Sequence, residues 1–416
     1  MSSVPPAGSN AAEVLGIEGF GSDNLPFGSC QLPDGRIQLC VRLGDHALPL
    51  DTLSNLSPGL DDPARSALRH PNLDLLLAAG RPVWSAVRNW LRALLEDPAW
   101  CAQAVGTAYP VNMVHMRMPF TVGDYVDFYA SEEHASNVGR IFRPDEAPLK
   151  PNWKHLPVGY HGRSGTIRVS GSNVRRPKGL RAAPEGPVFG PSQKLDIEVE
   201  LGFVCGGSAP DGEVGLQSAA SDHLFGVVLL NDWSARDIQA FEYVPLGPNL
   251  GKSFATSISA WVVSWDALAD ARVPPPERSA PLASYLDDAG SDPYGLAIAL
   301  EVEVDGHVIS RPHAETLYWT APQMVAHMTV NNASLRPGDF FGSGTISGAL
   351  PTSRGSLLEL TWDGRDPIVV GDGRTMTFLE DGQEVVLRGT ARTAAGSVIS
   401  LTECRATILP ATQVSR

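Results

Sequence analysis

Lys194-Leu-Asp196-Ile-Glu198-Val-Glu200-Leu-Gly-Phe203 is the stretch on which the reading of the chain turns. Leu195, Ile197, Val199 and Leu201 alternate with Asp196, Glu198 and Glu200. A strand with its two-residue period therefore puts apolar side chains on one face and three carboxylates in a row on the other. Same-face neighbours lie about 7 Å apart, and like charges at that spacing repel unless solvated, protonated or bound to a cation. Glu198 and Glu200 are thus candidate oxygen ligands for a metal ion, with Asp196 as a third candidate. The competing reading is a solvated edge strand whose charge discourages aggregation. Against it, no Lys or Thr alternates with the acids.

Two flanking segments carry matching chemistry. Upstream, Asp127-Phe-Tyr129-Ala-Ser-Glu-Glu-His134 offers a carboxylate, a phenol and an imidazole. Asp127 and Tyr129 project to one side of an extended segment, and Ser131-Glu132-Glu133 marks a turn or helix start before His134. A cation ligand, a substrate hydrogen-bonder and a base can share a cleft there, although a plain surface loop has the same composition. Downstream, Leu224 to Leu230 reads as a buried strand that ends at Asn231-Asp232, where a carboxylate points into a cleft. A helical start is expected from Trp233, with Arg236, Gln239 and Tyr243 on one face.

Glycine-led loops add donors. Gly159-Tyr160-His161-Gly162-Arg163 allows close backbone approach, with Tyr160 and Arg163 as donors, or it is a plain turn. Gly251-Lys252 lacks the preceding glycines of a phosphate loop, so its Lys is better read as reaching a developing anion. Gly342-Ser-Gly-Thr345-Ile-Ser-Gly348 follows no βαβ pattern and reads as a substrate loop presenting the Thr345 hydroxyl. Ser356-Leu-Leu-Glu359-Leu-Thr-Trp reads as an apolar strand holding one acid, and a buried Glu359 needs a partner such as an imidazolium. Thr320-Ala-Pro opens a helix to about Asn331.

The first third is simpler. Pro33-Asp-Gly35 turns a hairpin in which Ile37, Leu39, Val41 and Leu43 alternate. Val83, Val87, Trp90, Leu91 and Leu94 recur at helical spacing and predict a helix of about four turns. The 416 residues suggest two domains, and 41 Gly with 34 Pro favour turns and short strands over a helical bundle. A formal charge of -14 without any basic block argues against nucleic acid or anionic lipid as partners. Five scattered cysteines lack metal or disulfide spacing, so a reducing compartment is expected. Met1-Ser-Ser-Val-Pro-Pro shows no leader pattern and no apolar run is long enough to span a bilayer, which predicts a soluble, unexported protein.

Together these strings resemble the fumarylacetoacetase (fumarylacetoacetate hydrolase) family. The resemblance runs from Asn24-Leu-Pro-Phe-Gly28 through Asp127-Phe-Tyr, Glu133-His-Ala, Gly159-Tyr-His-Gly-Arg, Asp196-Ile-Glu-Val-Glu, Asn231-Asp-Trp-Ser-Ala-Arg-Asp-Ile-Gln, Gly251-Lys-Ser-Phe and Gly344-Thr-Ile-Ser-Gly to Glu403-Cys. It implies a mainly β, α+β protein: an SH3-like β-barrel domain with flanking helices over residues 1–117, and a catalytic mixed β-sandwich roll over 118–416. It implies a cytoplasmic homodimer that hydrolyses a carbon-carbon bond of 4-fumarylacetoacetate, a small diketo diacid, in the last step of tyrosine and phenylalanine breakdown.

By the same resemblance a divalent cation sits on Asp127, Glu198, Glu200 and Asp232, bordered by Lys252 and Thr256. His134 is the general base, oriented by Glu359. Arg236, Gln239 and Lys252 stabilise the oxyanion, and Tyr129, Arg143, Tyr160, Gln239, Tyr243 and Thr345 contact substrate. Four carboxylates without His or Cys describe a hard cation, Mg²⁺, Ca²⁺ or Mn²⁺. Ala255 and Ala260 depart from the family pattern of Gly and Pro, and a left-handed backbone at 255 would be strained by the added Cβ. The same core would also serve a related acylpyruvate hydrolase, a 2-oxo acid decarboxylase or hydratase, or a Ca²⁺-binding protein. The His134 motif speaks for hydrolysis.

Overall fold

The hairpin expected around Pro33-Asp-Gly35 starts the molecule. Gly35 takes φ +88, Gly35 N–H donates to Leu32 O at 2.9 Å, and Gln31 faces Ile37 across the turn. The computed structural model describes residues 18–56, 59–371 and 373–413, so the Met1–Pro6 segment lies outside the described residues. Phe27–Gln31 and Ile37–Leu43 belong to a five-stranded sheet completed by His46–Pro49, Tyr109–Pro110 and His115–Arg117. Between its third and fourth strands the chain forms helices, the longest being Arg81–Glu96. Val87, Trp90, Leu91 and Leu94 are buried along it as their spacing predicts, whereas Trp84 takes the buried place expected for Val83, which is only partly buried.

An eight-stranded sheet and a second five-stranded sheet carry most of the rest, giving a mainly β protein with helices, in the α+β class. The first runs, in order, Gly159–His161, Tyr125–Phe128, Phe340–Gly342, Val199–Cys205, Leu224–Asp232, Thr256–Ile258 and Ile167–Val169, with Val263–Ser264 also on Leu224–Asp232. It is mixed: Phe340–Gly342 lies parallel to Tyr125–Phe128, and Thr256–Ile258 parallel to Ile167–Val169. The second orders His307–Ser310, Ala299–Val304, Glu384–Arg392, Val398–Leu409 and Val174–Arg175. Leu201, Phe203, Val227 and Leu229 of the first share a core with Val302, Leu387 and Leu401 of the second. On the opposite face Val204, Phe225, Val228 and Leu230 pack with the N-terminal helices, where Trp84 meets Phe225 edge-on at 5.2 Å.

The alternation expected over Leu195 to Leu201 holds on its apolar side, since Leu195, Ile197, Val199 and Leu201 all join the core shared by the two sheets, while Asp196, Glu198 and Glu200 between them are buried rather than solvated. Every residue of Leu195–Asp196 and Val199–Cys205 is buried, and the strand is interrupted at Ile197 and Glu198. Val199–Cys205 is a central strand between Phe340–Gly342 and Leu224–Asp232, so the solvated-edge reading fails.

Three local expectations also change. The expected helical start at Trp233 gives way to strand Ser234–Ala235, paired with Leu195–Asp196, and the helix is Arg236–Glu242. The strand expected around Glu359 is the one-turn helix Leu357–Leu360. Its first amides find side chains rather than a neighbouring strand: Asp196 accepts from Leu357 and Leu358, and Ser356 Oγ from Glu359 N–H. Ala255 is absent from the left-handed residues and is buried with the apolar core, so its Cβ carries no backbone strain. The Thr320 helix holds, as Ala321–Thr329 with a capping box between Thr320 and Gln323. Among the described residues no helix is long and apolar enough to cross a membrane.

Candidate active site and cation centre

The strand ends of the first sheet converge on four acids. Asp127, Glu198, Glu200 and Asp232 are all buried and each offers an oxygen within 4.8 Å of the others. Asp127 leaves strand Tyr125–Phe128 and Asp232 ends Leu224–Asp232, while Glu198 sits at the interruption before Val199–Cys205. Thr256 Oγ1 donates to Asp232 Oδ1 at 3.2 Å, and Gly344 N–H to Glu200 Oε2 at 3.0 Å. The Tyr160 hydroxyl lies 3.1 Å from both Asp127 Oδ2 and Asp232 Oδ2. Lys252 Nζ binds Glu198 Oε2 and lies 2.8 Å from Asp232 Oδ2.

These residues fit a divalent cation on structural grounds. Asp127 Oδ1 and Glu200 Oε1 are buried with no hydrogen-bond partner, a costly state that a cation relieves. Burial, followed by the charge of Asp232, pushes the Asp127 carboxyl well above its usual range. Glu200 is pushed up by burial and by Asp127, Asp232 and Glu198. Gly342 keeps the space open: a Cβ there would lie 2.6 Å from Asp127 Oδ1 and 2.7 Å from Glu200 Oε2. All donors are oxygens, which selects a hard ion.

Glu198 differs from its neighbours. Burial alone would raise its carboxyl, but Lys252, Arg236 and His134 outweigh burial and hold it below the ordinary range. Asp196 is the correction. It lies outside the group of four, fully buried, and binds Arg236 Nε through Oδ2 at 2.8 Å, so its charge is matched by a guanidinium and backbone amides.

His134 occupies the third position of helix Glu132–Phe142, whose N-cap Ser131 accepts from its N–H. Nδ1 lies 2.7 Å from Glu359 Oε2. The same carboxylate accepts from Asn137 Nδ2 at 3.0 Å and from the Ser347 and Ser356 hydroxyls at 2.8 Å each. Burial works against ionisation of Glu359, yet His134, Asn137 and Ser347 outweigh it and lower its pKa. An ionised carboxylate can only accept, so Nδ1 carries a proton toward Glu359, which leaves Nε2 as the acceptor of the imidazole in its neutral form. Nε2 lies 4.0 Å from Glu198 Oε1, a gap that one water molecule can bridge.

A cavity of about 580 Å³ opens on this group. Asp127, His134, Glu198, Arg236 and Lys252 line it, together with Tyr129, Arg143, Tyr160, Gln239, Tyr243 and Thr345. Arg236 is held by Asp196, by Glu198 Oε1 at 2.7 Å and by Gln239 Oε1 at 3.1 Å. Arg143 Nε and Thr345 Oγ1 are buried without hydrogen bonds, Arg143 Nε lying 3.9 Å from Glu146 Oε2. Asp232 and Thr256 line a second opening beyond Tyr160 and Lys252, while Glu200 and Glu359 line neither.

The residues that seat Glu359, namely Asn137, Ser347 and Ser356, escaped the sequence reading. Ser356-x-x-Glu359 was the available signal, being the spacing of a capping box. Asn137 and Ser347 carry no local signature, since their partner is distant in sequence.

Comparison with known proteins identifies the family. Residues 23–119 match the fumarylacetoacetase N-terminal family model, and residues 125–408 the fumarylacetoacetate hydrolase C-terminal model. A protein of Arabidopsis thaliana named fumarylacetoacetase is 41% identical over 409 residues, covering 94% of this chain and 96% of its own. One of Rattus norvegicus with the same name is 42% identical over 412 residues, with the same coverage. Among solved structures, a fumarylacetoacetate hydrolase from psychrophilic Exiguobacterium antarcticum shares the fold at a TM-score of 0.55 and 14% identity, covering 93% of this chain and 99% of its own. With both family models matched in order and relatives near 40% identity over almost its whole length, the chain belongs to the fumarylacetoacetase family.

Proposed function

We propose that the protein hydrolyses 4-fumarylacetoacetate to fumarate and acetoacetate, with His134 as general base. The observation that carries this reading is the His134–Glu359 pair: an imidazole with Nδ1 anchored by an ionised carboxylate and Nε2 facing a cavity beside four clustered acids. The names of the relatives supply the substrate.

The chemistry follows from the side chains. Nε2 takes a proton from water as its oxygen bonds to the fumaryl carbonyl carbon. The carbonyl oxygen becomes an oxyanion, which Arg236, Gln239 and Lys252 stabilise. The bond from that carbon to the acetoacetate carbon then breaks, its electron pair staying with acetoacetate as an enolate that the proton finally reaches. Glu359 stabilises the imidazolium in between. Tyr129, Arg143, Tyr160, Tyr243 and Thr345 orient the diacid. A divalent cation held by Asp127, Glu198, Glu200 and Asp232, with Lys252 and Thr256 at its border, supplies Lewis acidity toward the substrate oxygens. Mg²⁺ or Ca²⁺ fits the oxygen set best, with Mn²⁺ next.

A homodimer in the cytoplasm, a place as the last step of tyrosine and phenylalanine breakdown, and a division at residues 117 and 118 between an SH3-like domain and the catalytic domain complete the proposal. The resemblance to the family supports them. The test is loss of fumarylacetoacetate absorbance with and without chelator: turnover that a chelator stops and Mg²⁺ restores supports the proposal, and a protein inert even with added Mg²⁺ and no chelator refutes it.

A further inference from the structure

Asp196 stands between the two halves of the site. Its Oδ1 accepts from Ile197 N–H and Leu357 N–H, both at 2.7 Å. Its Oδ2 accepts from Leu358 N–H at 2.9 Å and Arg236 Nε at 2.8 Å. The side chain is fully buried, and none of its four bonds goes to the acidic cluster. Leu357 and Leu358 open the one-turn helix that carries Glu359. A helix this short keeps its first amides in place only through such acceptors. One planar carboxylate therefore fixes the turn that aims Glu359 at His134 and also the guanidinium that faces the cavity.

We infer that Asp196 is a positioning residue for the hydrolysis, setting the distance between the base and the oxyanion donor by holding the Glu359 turn and Arg236 on one carboxylate. The inference rests on the function proposed above. An amide at this position keeps one acceptor but turns an NH₂ group either toward Ile197 and Leu357 N–H or toward Leu358 N–H and Arg236 Nε, so the Glu359 turn loses an anchor in both orientations and Arg236 loses its anchor in the second. Because transition-state geometry and not ground-state binding is at stake, the loss falls on kcat.

The experiment compares Asp196→Asn with wild type in the full-length, cation-loaded protein. Asp196→Asn is expected to lower kcat about a hundred-fold, with KM and cation affinity within about three-fold of wild type. In a Glu359→Gln background the same change is expected to cost less than about ten-fold, because the two residues act on one base. Unchanged kcat, equal cost in both backgrounds, or a parallel loss of cation affinity would overturn the inference. If the amide variant does not fold, Asp196→Glu takes its place with the same criteria. The His134 Nδ1 proton resonance, assigned by its absence in His134→Ala, is expected to shift in Asp196→Asn with no substrate present. An unshifted resonance refutes the inference, whereas failure of wild type to turn over fumarylacetoacetate refutes only the substrate assignment.

Discussion

His134 Nδ1 and Glu359 Oε2 are 2.7 Å apart, although 225 positions separate the two residues. Both are buried, so the pair is shielded from competing water. Replacing Glu359 by Gln leaves an amide that fits the same space but cannot stabilise an imidazolium. Glu359→Gln should lower kcat by about ten- to a hundred-fold, less than loss of the imidazole itself. Steady-state kinetics with KM followed alongside kcat would check this, since a binding defect would move KM instead.

The same pair predicts a pH dependence of stability. The Glu359 carboxyl is lowered below its ordinary value of 4.5, so the folded state holds the ionised form more tightly than the unfolded chain does. Its contribution is fully present above that value and is lost as pH falls through the lower folded-state pKa. The stability difference between wild type and Glu359→Gln should therefore shrink on acidification below pH 4.5. Urea melts across the acid range measure it, and a difference that grows toward low pH would contradict the assignment.

Four acids around two unpartnered oxygens predict that a divalent cation stabilises the fold. Removing it leaves mutual repulsion, so a chelator should lower Tm and added Mg²⁺ or Ca²⁺ should raise it in a concentration-dependent way. Glu200→Gln should weaken that thermal shift by removing one ligand. An identical shift in the variant would remove Glu200 from the site.

Gly342 offers a steric test of the same centre. The Cβ of Gly342→Ala would press on Asp127 Oδ1 and Glu200 Oε2. Cation affinity, read by calorimetry, should fall at least ten-fold. Wild-type affinity in this variant would show that the ion sits elsewhere.

Much of this site can be read from the sequence because its residues sit at strand ends, where local pattern is strong. The acids at 198, 200 and 232 stand out against apolar runs, and the N-cap before His134 is visible as Ser131-Glu132-Glu133. The sequence misleads where tertiary contacts override local pattern. Leu195 to Leu201 alternates as a strand with one solvated face would, and its apolar residues do join the core, yet its acids are buried as well. Asp196 looks equivalent to Glu198 and Glu200, and only the folded chain shows that its partners are Arg236 and a helix start. Glu359 reads as a strand residue when the Ser356-x-x-Glu359 cap is outweighed by its apolar neighbours, and nothing local reports that Asp196 also caps its turn.

The central claim is hydrolysis by an imidazole base, and one measurement addresses it directly: products formed from 4-fumarylacetoacetate by wild type and by His134→Ala, both cation-loaded. Wild type should yield fumarate and acetoacetate in equal amounts, and the variant should retain cation affinity while kcat falls about a hundred-fold or more. A His134→Ala protein that cleaved the diketone at a near-normal rate would contradict the account.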